Sequence, residues 1–244
     1  MTTEGPRADS AVAAAEELRA ELSRIEHAID ISTYQSGPWR QLLTRTRAAS
    51  DEERRAISDD ITRISRKLHL RRNRKTVSAQ TGIMLEVAAI GLGGVLLAIG
   101  IRMSSNVAGI AGLALWVMAF QPIVKVAIGT ALGVGYDYAY LQRGEPRFKM
   151  KYGSYLARPR SARIALHLAG AIGSPLGAYL SALLVRDSLP VTYMAATRVF
   201  WLVSMINLAL LVAGLSGSKR LGGYRTVDSS CGAAGAEIRE ALGR

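Results

Sequence analysis

Seven of the polar side chains within the long apolar stretches of this 244-residue chain are the candidates for chemistry. Glu86, Lys125, His167 and Arg198 are ionisable, and Gln121, Ser174 and Asn207 lie in the same stretches. Ionisable groups inside apolar runs are costly and default to a functional role. Lys125 and His167 are the pair to move a proton, for a lipid or small-molecule substrate. Glu86 and Lys125 could instead form an inter-helix ion pair that fixes packing. His167 is either hydrogen-bonded packing or, with Gln121 and Lys125, part of a polar cavity. Arg198 stands near a helix end and can snorkel to water.

These groups need elements to hold them, and the elements are membrane spans. The chain is 49% hydrophobic and carries a net charge of +12, but the charge is segregated. Residues 1–80 hold 15 of the 31 Lys+Arg and 12 of the 19 Asp+Glu, whereas residues 81–134 hold only Glu86, Arg102 and Lys125. Crossing a hydrocarbon core takes about 20 apolar residues. Runs at about 83–101, 107–133, 164–185 and 192–215 qualify, so the expected fold is mainly α, a four-helix transmembrane bundle. Pro175 is expected to kink the third span by removing a backbone donor. Gly91, Gly93, Gly94, Gly129, Gly133, Gly170, Gly173 and Gly177 let helices approach closely.

Basic residues then orient the spans. Arg63, Arg66, Lys67, Arg71, Arg72, Arg74 and Lys75 precede the first. Arg143, Arg147, Lys149, Lys151, Arg158, Arg160 and Arg163 separate the second from the third, and Lys219, Arg220 and Arg225 follow the last. Basic loops stay in the cytoplasm, so both termini are expected there; the membrane expected is a bacterial plasma membrane. The +12 is thereby topological, and no nucleic-acid partner is needed to explain it.

Residues 1–80 read as a cytoplasmic helical hairpin. Leu18, Leu22, Ile25 and Ile29 form one apolar stripe on a helix over 9–34. Ile57, Ile61, Ile64 and Leu68 form another on a helix from Asp51, with Ser50 and Glu53 at capping-box spacing. A short helical piece at 39–46 separates them. Matching stripes predict an antiparallel hairpin or short coiled coil, packed on itself or offering residues 1–75 to a protein partner or a second copy. Residues 136–152 alternate and are broken by the turn Gln142-Arg143-Gly144-Glu145-Pro146, which predicts an interfacial β-hairpin. Its tyrosines would sit at the interface, with Arg147, Lys149 and Lys151 toward lipid phosphates. Residues 216–244 read as a cytoplasmic tail. Its lone Cys231 excludes an internal disulfide and a cysteine-built metal site.

From about Ala119 to Leu215 the order of elements resembles the site-2 protease family of intramembrane zinc proteases. Ala169 and Gly170 match the family's third-helix signature, with Ala171 where proline stands and Ser174 where asparagine stands. Asn207-Leu208 is similar to the asparagine of a later helix. The resemblance would imply H-E-x-x-H at Gln121-Pro122-Ile123-Val124-Lys125, where neither histidine nor glutamate is present. Catalytic zinc needs three protein ligands and an activated water, so no metal and no cofactor are expected. The leading expectation is a non-enzymatic binding or scaffold protein on this fold. The alternatives are the Lys125–His167 enzyme and a small transporter subunit, which would need an oligomer to enclose a path. P-loop, dinucleotide and G-x-S-x-G elements are absent from the sequence.

Overall fold

The computed structural model describes residues 5–71, 75–142, 145–218, 220–221, 224–225 and 229–243. Arg72, Arg74, Arg143, Gly144 and Lys219 lie outside the described residues. The described chain runs α1 (Gly5–Asp30), α2 (Ser36–Ala48), α3 (Asp51–Ala56), α4 (Ser58–Leu70), β1 (Thr76–Ser78), α5 (Ala79–Met103) and α6 (Asn106–Ala131). It continues with β2 (Tyr136–Gln142), β3 (Glu145–Met150), α7 (Tyr152–Leu156), α8 (Arg160–Val185), α9 (Pro190–Leu215), β4 (Arg220–Leu221), β5 (Tyr224–Arg225) and α10 (Ser230–Ala241). Two compact units divide it. Residues 1–75, 133–137 and 149–159 make the first, and residues 76–132, 138–148 and 160–244 make the second.

The first unit is built from the two expected stripes. Leu18, Leu22, Ile25 and Ile29 are buried, and so are Ile57, Ile61 and Ile64. The expected capping box forms: Glu53 N–H donates to Ser50 Oγ, and Ser50 N–H to the Glu53 carboxylate. Two expectations need correction. The second helix is interrupted at Ile57, which leaves helical geometry at φ −108°, ψ 6° between α3 and α4. More consequentially, α1 and α4 run parallel. Arg19 bonds the Ala56 carbonyl, Arg63 the Glu26 carboxylate, and Lys67 the Asp30 carboxylate, so both sequences rise together. The return is made by α2, whose Arg45 pairs backward with Glu21 at 2.6 Å and Glu17 at 2.9 Å. An apolar repeat fixes which face is buried and leaves helix direction open.

Gly153 of α7 belongs to the same unit and lies against the Ser58 carbonyl, where any Cβ would collide with backbone. Its N–H donates to Thr62 Oγ at 3.0 Å. At Glu26, hydrogen bonds from Arg63 and then Lys67 hold the carboxyl down at about 2, from 4.5. A depressed acid stabilises the fold above its unfolded pKa and loses that contribution as pH falls through the folded one. Amide protection factors in α1 and α4, which are corrected for the slower intrinsic exchange in acid, should therefore fall as pH drops from about 4.5 through about 2. Glu26→Gln should exchange faster at neutral pH and lose this acid step. An acid step of equal size in both proteins would remove Glu26 as its cause.

In the second unit four helices are long and apolar enough to cross a membrane: α5, α6, α8 and α9. They fit a multi-pass integral membrane protein with the expected four spans. Where α5 starts, α6 stops, α8 starts and α9 stops, the bundle has its basic end. Along α5, Gly82, Glu86, Gly93, Leu97 and Gly100 are buried; Gly93, Leu97 and Gly100 meet α6, while Gly82 lies against Ala139 and Phe148. A Cβ at Gly93 would meet the Trp116 ring, and one at Gly100 the backbone of Gly109. Trp116 Nε1 donates to the Ile90 carbonyl at 2.8 Å across this contact. The α6 helix stops at Ala131, two residues before the expected end, because Gly133 turns the chain at φ +74°.

The β-hairpin is present and gains a strand. Thr76–Ser78 pairs antiparallel with Tyr138–Tyr140, giving the order β1-β2-β3. Three exposed residues carry too little pattern to announce β1 in sequence. The hairpin ends at Met150 rather than 152, since Tyr152 starts α7.

Candidate functional site

The polar residues of the spans fall into three separate settings. Glu86 is buried on α5, and no ion pair joins it to Lys125 among the described residues. The expected Glu86–Lys125 pair is thus not made. Lys125 leaves α6 on the side that faces α8, where its Cδ would touch a Cβ at Gly170. Its Nζ donates to Ser230 Oγ at 3.3 Å. His167 is buried on α8 about one turn before Gly170.

Ser230 opens α10, the helix that the segment read as a tail forms. A Cβ at Gly214 would meet the Gly232 carbonyl, and one at Gly235 would meet the Leu211 carbonyl, so α9 and α10 pack backbone to backbone. Cys231 is buried against Ala171 and Leu210. Further along, Glu237 Oε2 accepts from Arg163 Nη2 at 2.9 Å, and the Glu240 carbonyl accepts from Arg160. Ser230 therefore sits at the level of Gly170, ten residues or about 15 Å into α8, and α10 runs back toward the basic end. Small residues on both helices are what permit this close approach. Arg163 changes role accordingly. It belongs to α8 rather than to the preceding loop, and its side chain is 2% exposed, paired with Glu237 at 5%.

Ser174 and Asn207 tie helices together. Ser174 Oγ donates to the Val117 carbonyl at 2.8 Å, joining α8 to α6. Asn207 Nδ2 donates to the Ala171 carbonyl at 2.7 Å, joining α9 to α8. That carbonyl would ordinarily bond the N–H four residues on, which is Pro175 and has none. Asn207 supplies the missing donor where no water is available. Gln121 has its Cα against the Gly173 position, while its side chain is exposed and makes no hydrogen bond among the described residues. The structure thus gathers Lys125, Gly170 and Ser230, places His167 one turn away, and leaves Gln121, Ser174 and Asn207 at other contacts.

Of the interfacial bases, Lys149 Nζ donates to Ser65 Oγ at 2.7 Å and stands 6.0 Å from the Tyr152 ring centroid. Arg147 is half-buried and Lys151 exposed, so the three do not form the uniform outward row that alternation predicts. Bending into α7 after Met150 is the physical reason. Among the described residues, no group of three or more His, Cys, Asp or Glu side chains is placed to hold a metal. A groove of 500 Å³ lies elsewhere, on α9, lined by Met205, Leu208, Val212 and Ser216 among others.

Ser230 and Glu237 are the residues that sequence reasoning misses. Their segment is short and mixed in polarity, so it carries no span signal. One hint is present: Gly232 and Gly235 in a segment with capping Ser229, whose Oγ accepts from Gly232 N–H. In comparison with known proteins, the chain matches no family model, no curated protein and no solved structure.

Proposed function

We propose that this chain is a non-enzymatic binding or scaffold protein of the membrane, with its basic end and both termini in the cytoplasm. The reading is supported by what the polar residues inside the spans are doing. Asn207, Ser174 and the Arg163–Glu237 pair each hold one helix to another, which is assembly chemistry. The likeness to site-2 proteases then concerns the order of elements, with Gln121 and Lys125 standing where zinc ligands would be. Residues 1–75 would meet a partner through their charged surface, because both apolar stripes are consumed inside the unit. Lys149, Lys151 and Arg147 would act near anionic lipid headgroups.

Metal content of the detergent-purified protein tests this first. Wild type should carry sub-stoichiometric zinc by plasma mass spectrometry, and Gln121→His/Lys125→His should change that little, since the two side chains lack a third ligand. Stoichiometric zinc in wild type would overturn the reading.

One contact favours a second reading, an acyl-transfer enzyme acting on lipid or a small molecule. Lys125 and Ser230 meet at 3.3 Å beside a glycine that must be glycine, since a Cβ at Gly170 would press on Ser230 Oγ at 2.7 Å. Serine–lysine pairs serve as nucleophile and base in several hydrolases. Ser230 Oγ would attack an acyl carbonyl as the neutral amine of Lys125 takes its proton and passes it to the departing alcohol or amine; water or a second acceptor would then take the acyl group from Ser230, its proton returning through Lys125 to the serine. Fluorophosphonate labelling that Ser230→Ala and Lys125→Met each abolish would establish it. No labelling of folded wild type would leave the Lys125–Ser230 contact as one more helix tie.

A further inference from the structure

Gln121 faces outward from α6 with no hydrogen-bond partner among the described residues. It lies fifteen residues from the start of α6 and ten from its end, about 22 Å and 15 Å along the axis. That is the middle of a hydrocarbon core about 30 Å thick. Lipid tails offer an amide no hydrogen bond, and each unsatisfied polar group there is costly. The neighbouring helices of its own chain already have their faces. Gly112 and Trp116 serve α5, the open side of Gly109 faces Thr192 of α9, and Leu113, Val117 and the Cα of Gln121 lie against α8 and α9, which leaves the Gln121 side chain at the edge of that contact.

The rest of the outward face has a pattern. Val107, Ala111, Ala114, Met118, Gln121 and Ile128 are all exposed, Val107 at 82% and Met118 at 53%. Their spacing is four, three, four, three and seven residues, the heptad repeat of helices that pack side by side at a small angle, with Lys125 at the intervening position turned onto Gly170 and Ser230. Ala111 and Ala114 are small enough to let a partner backbone approach. An apolar stripe alone is satisfied by lipid. A lone amide in the stripe is not.

We infer that α6 is a dimerisation helix, pairing with α6 of a second copy of this chain through Gln121. Two copies inserted in the same sense bring their α6 helices together in parallel, so each Gln121 meets its counterpart at equal depth. A carboxamide carries both a donor and an acceptor, and two related by a twofold axis satisfy each other. The interface is isologous and closes at two copies. It goes beyond the scaffold reading and stands whether or not Lys125 and Ser230 do chemistry.

Sedimentation equilibrium in density-matched micelles tests it with wild type, Gln121→Leu and Gln121→Asn. Leucine is at home in the bilayer, so that variant folds, and association should weaken roughly three- to thirty-fold, the range of interhelical hydrogen bonds in membranes. Asparagine keeps the amide and should stay within about twofold of wild type. In native membranes, Ala114→Cys in a Cys231→Ser background should cross-link to a dimer on oxidation. Leu92→Cys, on the exposed face of α5, should not. A monomeric wild type, an association unchanged in Gln121→Leu, or equal cross-linking at both positions would each overturn the proposal.

Discussion

Removing either partner of the Arg163–Glu237 pair should destabilise the membrane unit more than truncating Ser174 or Asn207. The two side chains are 2% and 5% exposed and bonded at 2.9 Å. Stripping one partner from a buried pair leaves an uncompensated charge and costs about 3–5 kcal/mol. Arg163→Met or Glu237→Leu should therefore lower the thermal midpoint in detergent by on the order of 10 °C. The double variant Arg163→Met/Glu237→Leu should recover most of the loss, because apolar pairs of similar volume often replace buried ion pairs without penalty. Glu237→Leu should also free α10 from α8. Maleimide should then reach Cys231, which wild type buries against Ala171 and Leu210. A midpoint unchanged in both single variants would show that the pair is not what seats α10.

The second large effect belongs to Asn207, and it has a built-in control. Asn207→Leu leaves the Ala171 carbonyl without a donor in apolar surroundings, a loss of about 1–3 kcal/mol. Pro175→Ala restores an N–H four residues after Ala171, so the helix can satisfy its own carbonyl. The double variant should regain most of the stability that Asn207→Leu loses. The two changes are expected to be strongly non-additive, since they act on one acceptor. Additive losses in a double-mutant cycle, read by thermal unfolding in lipid nanodiscs, would mean that Asn207 stabilises by packing alone.

Arg163 and Asn207 also mark where the sequence stops being informative. Read along the chain, Arg163 is one more basic residue before a span, and Asn207 is a polar interruption that looks like a vestige of a catalytic motif. Their partners lie 74 and 36 residues away, and nothing local announces them. Lys125 is similar. Depth along the span suggests Glu86 as its partner, but depth says nothing about the side of a helix. Lys125 is turned to Gly170 of α8 instead, and the serine that it meets is 105 residues on.

Features legible from the residues alone follow from constraints that act locally. Four spans can be read because bilayer thickness demands about 20 apolar residues with few charges, and the composition provides them. The Ser50–Glu53 box can be read because its atoms are three residues apart. Alternation and turn residues announce the β2–β3 hairpin. Packing settles what local signals leave open. Whether α1 and α4 run parallel depends on α2 making the return. The placement of α10 depends on glycines of α9 and α10 meeting backbone to backbone. The donor for a proline-orphaned carbonyl depends on which neighbouring helix presents an amide at that height. Period and hydropathy specify a face and a length. Direction, depth of re-entry and partner are properties of the packed assembly, because they are set by which surfaces remain to be satisfied once the helices have formed.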